Sequence, residues 1–203
     1  MALVGERHAP LLPEDIDGFM AQVRQLRTST MSDVLERATP IGKVQRFAFR
    51  ESSWRHYERL DDFPGGLLPI GDAICRFTPV YGQGMTVAAM EACILKRLLQ
   101  TSTDTRSTLA GLGKAFFAGV LPVIEGAWSM SAIPDFAYPK TRGERPADLQ
   151  ETLQFNAALV RAAADDPDIH ARMLRVRHLI DPPSVLREPA IARRIQMEMA
   201  EAL

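Results

Sequence analysis

The sequence predicts an α+β fold, with a small antiparallel β unit and one strand–helix turn ahead of a mostly α-helical C-terminal extension. Three observations carry that expectation. Between Ile41 and Leu60, aromatic and apolar residues (Val44, Phe47, Phe49, Trp54, Tyr57, Leu60) alternate with charged ones around the polar turn Glu51-Ser52-Ser53. This is the pattern of a two-stranded ribbon with one packed and one wet face. From Leu67 to Ile70 a short apolar run ends on Gly71-Asp72, and Gly82-Gln83-Gly84 then opens a helix built of small residues. Beyond Gly84, apolar residues recur at helical spacing almost to the end of the chain.

At the start, Ala2 to Gly5 has the texture of a strand end. Pro13-Glu14-Asp15 begins a helix with proline and acids in its first turn and Ile16, Phe19, Met20, Val23 and Leu26 on its apolar face. Ser32-Asp33 caps a second, short helix that Pro40 stops. The helix opened by Gly82-Gln83-Gly84 carries Met85, Ala88, Ala89, Ala92, Leu95 and Leu99 as far as the polar break Thr101–Thr105. A long helix follows from about Ser107 to Met130, with Pro122 placed to kink or divide it. Ile133–Pro139 and Arg142–Pro146 read as irregular connections. Three more helices are expected at about Ala147–Ala164, Ile169–Leu179 and Ala190–Leu203, separated by Asp165-Asp166-Pro167 and Asp181-Pro182-Pro183.

Composition narrows the function classes. Apolar residues make up 46% and charged residues 24% of 203, the balance of a globular chain rather than a disordered one. A net charge of -1 offers no electrostatic case for nucleic acid or an anionic membrane as partner. No uninterrupted apolar run approaches the ~20 residues of a membrane span, so no transmembrane segment is expected. The first residues lack the apolar centre of a signal peptide. Cys75 and Cys93 form no CxxC and read as free thiols of a reducing compartment, which makes the expected location cytoplasmic. His8, His170 and His178 have no partners at metal-ligand spacing, and no serine sits in a G-x-S-x-G. No residue is assigned a catalytic role and none a metal.

The central turn carries the chemistry. Asp72, directly after an apolar strand, is an acceptor for sugar or polyol hydroxyls, and Gly71 removes a Cβ that would hold a ligand away. Gly82 and Gly84 let backbone approach a ligand at a helix start, where the unpaired amides of Gly84 and Met85 favour negative charge. An N-cap and tight turn that merely need glycine would leave the same residues. His56, with Arg55 and Tyr57, reads either as the substrate side of such a site or as the polar face of the ribbon. Trp128 reads as packing.

Gly71-Asp72-Ala73, followed by Pro79-x-Tyr81-Gly82-Gln83-Gly84-Met85, resembles the second flavin-binding motif of FAD-dependent oxidoreductases of the aromatic-hydroxylase (group A flavin monooxygenase) superfamily. It is most similar to bacterial members related to squalene epoxidase and the geranylgeranyl reductases. Arg55-His-Tyr-Glu-Arg59 before the motif, and Trp128, Asp135, Asp165-Asp-Pro and Pro182-Pro183 after it, follow the order seen in that group. The resemblance implies an incomplete flavin monooxygenase-like fold in three parts. These are residues 1–66 as a remnant of the substrate-binding region, 67–100 as the second FAD-binding motif and 101–203 as a helical C-terminal region. It implies FAD as cofactor, NAD(P)H as a candidate reductant and a small hydrophobic or aromatic substrate. Asp72 would bind the ribityl chain, and Gly82, Gln83, Gly84 and Met85 would present the helix N-terminus to the pyrimidine edge of the isoalloxazine. Thr78 departs from the pattern, standing where close relatives often have asparagine before the proline. The G-x-G-x-x-G turn that would hold the pyrophosphate is missing, since Gly111-Leu-Gly113 lies in a helical pattern. The expected role is therefore the C-terminal part of a flavoenzyme, completed by a separate Rossmann-type N-terminal half. A non-catalytic helical remnant or interaction module is the alternative.

Overall fold

Helices dominate the chain, and its sheet is two residues wide on each strand. The computed structural model describes residues 13–47, 49, 51–101 and 105–200; the strand end expected at Ala2–Gly5 and His8 lie outside them. Two units partition the chain, Met1–Arg50 and Glu51–Leu203.

In the first unit, α1 (Ile16–Arg24) is capped by Asp15, whose Oδ1 accepts the Gly18 amide at 2.7 Å. An Asp15 cap takes one of the amides that a helix start leaves unpaired. Next comes α2 (Thr30–Leu35), whose N-cap position is Ser29 and not the expected Ser32-Asp33, which lie inside the helix; Arg24 pairs with Glu36 at 3.1 Å and Arg46 with Glu14. The ribbon expected over Ile41–Leu60 does not form as drawn. Among the described residues of 41–49 there is no strand.

The sheet belongs wholly to the second unit. β1 (Ser53–Trp54) pairs antiparallel with β2 (Cys75–Arg76), Ser53 opposite Arg76 and Trp54 opposite Cys75. The polar turn Glu51-Ser52-Ser53 is therefore the entry to a strand, and the partner lies beyond the Gly71–Ala73 turn. Pairing is decided by which strands share a core, and Ile74, Cys75 and Phe77 are all buried. Leu67–Ile70, expected as a strand, forms none; Ile70 is extended, and Leu67 is exposed.

Five helices follow among the described residues. They are α3 (Gly84–Thr101), α4 (Thr105–Ser131), α5 (Leu149–Asp165), α6 (Pro167–Arg177) and α7 (Pro189–Ala200). One hydrophobic cluster joins Ile74, Cys75 and Phe77 to Val87 and Ile94 of α3 and to Phe116, Phe117, Val120, Ile124 and Ala127 of α4. Trp54, Tyr57 and Trp128 pack against it, the two tryptophan rings 5.6 Å apart. Trp128 is thus a packing residue. Tyr57 does not lie on a polar ribbon face; it sits in a 3-10 turn with its ring against Phe63 and Phe117. A second cluster is built from Ala158, Leu159 and Ala162 of α5, Ile169 and Val176 of α6, and Ile191 and Ile195 of α7.

The long helix α4 continues through the exposed Pro122 rather than being divided by it. The stretch Gly111–Ala137 is long and apolar enough to cross a membrane by length and composition alone. Its face of Phe116, Val120, Ile124 and Ala127 is at most 1% exposed and lies in the first cluster.

Candidate functional site

Ile70 is extended and delivers the chain into Gly71 at φ +62, a conformation that strains any residue with a Cβ. A Cβ added there would also touch Ala88 Cβ of α3 at 3.4 Å. Gly71, Asp72 and Ala73 form a 3-10 turn closed by the Ile74 amide on the Gly71 carbonyl at 2.8 Å. The Gly71 amide donates to Glu91 Oε2 at 2.6 Å, and Arg55 Nη1 donates to the Asp72 carbonyl at 3.1 Å. The Asp72 side chain is exposed and has no hydrogen bond or ion pair among the described residues. A carboxylate on a pinned backbone, free at its tip, can accept hydroxyl donors.

Beyond β2, Pro79–Tyr81 form a second 3-10 turn that ends on Gly82 in the left-handed region, φ 66 and ψ 19. The helix begins two residues later than the motif suggests, at Gly84, and the Gln83 carbonyl accepts its first amide bond, from Val87 at 2.9 Å. A Cβ added at Gly82 or Gly84 meets nothing within 4 Å. The space before this helix start is therefore open, and Met85 is 86% exposed. The first amides of α3 have no partner within the helix, so Gly84 and Met85 supply donors and the positive end of the dipole.

Gln83 behaves differently from its neighbours. Its side chain is only 4% exposed, with Nε2 donating to the Arg177 carbonyl at 2.9 Å and lying 3.9 Å from Met130 Sδ. The Arg177 guanidinium covers the Tyr81 ring at 5.6 Å. Gln83 thus ties the loop to the end of α6, and any ligand contact must come from its backbone. The end of α6 is shaped for this. Leu179 at φ 57 lets the Leu179 and Ile180 amides fold back onto Val176 and Arg175, satisfying two orphan carbonyls and leaving Arg177 O to Gln83.

Glu91 is the residue that motif reading passed over. It lies on α3 between Val87 and Ile94, the other two buried residues of that helix, and is 0% exposed. A carboxyl in the middle of a buried helical stripe is the signal that could have found it. Burial pushes its proton affinity up, the Gly71 hydrogen bond opposes this, and the nearby Asp72 charge adds to the rise. Beside it Cys75 is buried, and its thiol is pushed up to about 12 by burial, then by Glu91 and Asp72. That places it outside nucleophilic chemistry.

His56 holds Glu58 Oε1 through Nδ1 at 2.5 Å and stacks on Trp54 at 4.3 Å. His170 and His178 are exposed, and among the described residues no cluster could hold a metal ion. A shallow hollow between α5 and α7, lined by Phe155, Ile195 and Met199, belongs to the second cluster and not to the Gly71–Met85 segment.

No family model matches the chain. It is similar to Protein Rv3254 of Mycobacterium tuberculosis, 33% identical over 195 residues, an alignment that covers 90% of this chain and 39% of that protein. The chain therefore spans about two fifths of the length of the curated relative it matches.

Proposed function

We propose that the chain supplies the flavin-facing half of the FAD site of an oxidoreductase of monooxygenase or hydroxylase type, acting on a small hydrophobic or aromatic substrate. The observation that supports this reading best is the free carboxylate of Asp72 on a pinned turn that packs on α3, the helix whose start at Gly84 is open. The residues present fit half of such a cofactor. Asp72 accepts hydroxyls of the ribityl chain, and the amides of Gly84 and Met85 lie ready for the electron-rich pyrimidine edge. Gly71, Ala73, Pro79, Gly82 and Gln83 shape the two turns that present those groups. The bound flavin would supply the redox chemistry, with NAD(P)H as the source of electrons, and the chain would supply orientation and the electrostatic bias. In this proposal the pyrophosphate is held by a strand–GxGxxG–helix unit outside this chain.

The test is an FAD titration of the purified chain, alone and with such a unit supplied, followed by flavin fluorescence. Asp72→Ala should weaken FAD binding about tenfold or more, the worth of hydrogen bonds to a charged group, with an unchanged circular dichroism spectrum. Unchanged affinity would remove Asp72 from the site. Absence of binding in both arrangements would sink the flavin reading and favour a non-catalytic interaction module.

A further inference from the structure

We infer that Glu91 is the positioning residue of the candidate site: its buried carboxyl, acting through the Gly71 amide, sets how Asp72 is presented. The inference deepens the flavin reading and rests on it only for the identity of the ligand.

Asp72 is mounted from three directions. Glu91 Oε2 holds the amide before it at 2.6 Å, Arg55 Nη1 holds its own carbonyl at 3.1 Å, and Ala88 stands 3.4 Å from where a Cβ on Gly71 would be. Backbone on both sides of the Asp72 side chain is fixed while the side chain itself is left open. Glu91 is the anchor that reaches out of the core, and packing alone would not select it. Its helical neighbours on the buried stripe are Val87 and Ile94, and a buried carboxyl is costly unless it is paired. Its second oxygen, Oε1, is buried with no partner among the described residues, so only the Gly71 bond offsets that cost. The bond in turn serves an amide that the left-handed turn at Gly71 would otherwise leave unsatisfied. Burial, the largest influence, favours its protonated form; the Gly71 hydrogen bond opposes this and the Asp72 charge adds to it, with a net rise. An amide of the same shape should therefore keep the tie.

Three variants of the full chain test this. Glu91→Gln keeps an acceptor in place, Glu91→Met keeps volume but removes the acceptor, and Glu91→Asp keeps the carboxyl but withdraws it by one methylene. Amide exchange at Gly71 should be slow in the wild type and in Glu91→Gln, and about tenfold or more faster in Glu91→Met and Glu91→Asp. FAD affinity should stay within about threefold in Glu91→Gln and fall about tenfold in Glu91→Met, and that fall should vanish in an Asp72→Ala background. Should Glu91→Met fail to fold, Glu91→Asp takes its place in both measurements. Gly71 exchange unmoved by loss of the acceptor would overturn the inference. So would an affinity loss that persists undiminished without Asp72, or Glu91→Gln as damaging as Glu91→Met. If the wild type binds no FAD either alone or with the strand–GxGxxG–helix unit supplied, the flavin reading falls, and Gly71 exchange alone decides the positioning role.

Discussion

Asp72 and Glu91 are neighbouring carboxyls with opposite settings, one exposed and free, the other fully buried and bound to an amide. The difference has a consequence for stability that can be measured. Glu91 is held above its ordinary value of 4.5 by burial, so on a rising pH scale the unfolded chain loses this proton first. Folding stability therefore declines from about pH 4.5 up to the raised value and is level above it. Glu91→Gln cannot ionise and should be spared that decline. Its urea midpoint, measured against the wild type, should gain ground from about pH 4.5 up to the raised value and then hold that lead. Parallel curves for the two proteins would show that Glu91 has the same proton affinity folded and unfolded. Asp72 was legible as a candidate because a carboxylate after a glycine at a turn is a local pattern. Glu91 was not found because its role is defined by what lies across from it.

Helices were the most legible elements, and their boundaries moved only by a few residues. The reason is local: apolar periodicity and caps act within one or two turns. Asp166 illustrates it, accepting the Asp168 and Ile169 amides at 2.9 and 3.1 Å at the start of α6. Asp148 precedes α5 without any side-chain cap bond. Asp166→Ala should therefore cost about 1 kcal/mol in a denaturant melt, and Asp148→Ala much less. Equal losses would show that the cap geometry at α6 contributes nothing. The strands were legible only as a kind of element. Ser53–Trp54 was read as part of a local ribbon, yet its partner Cys75–Arg76 lies past an intervening turn. Two-residue strands carry no periodicity long enough to announce a register.

Among the described residues, both hydrophobic clusters draw their members from the Glu51–Leu203 unit. That unit also holds every candidate site residue from Gly71 to Met85. A chain beginning at Glu51 should therefore keep a cooperative melt and the near-ultraviolet signal of the Trp54–Trp128 pair, 5.6 Å apart in the first cluster. Loss of that signal on removal of the first 50 residues would show that the core needs the preceding unit. The same unit ties the two clusters together through the Gln83 loop. Gln83 precedes α3 in the first cluster and donates to the last carbonyl of α6, whose Val176 lies in the second. The helical C-terminal region is in this way a support for the loop, a role that residue spacing in either region does not reveal.

Helix content, the caps and the glycine-rich turn around Asp72 were set by short-range chemistry, in which a residue's neighbours in sequence are its neighbours in space. Three features were decided only by tertiary structure: which strand pairs with β1, where the Gln83 side chain goes, and what holds Gly71. Each joins residues well apart in the chain, Trp54 with Cys75, Gln83 with Arg177, and Gly71 with Glu91. Buried hydrogen bonds of this kind follow from which backbone groups the packing leaves without water, and packing exists only once the chain has closed on itself.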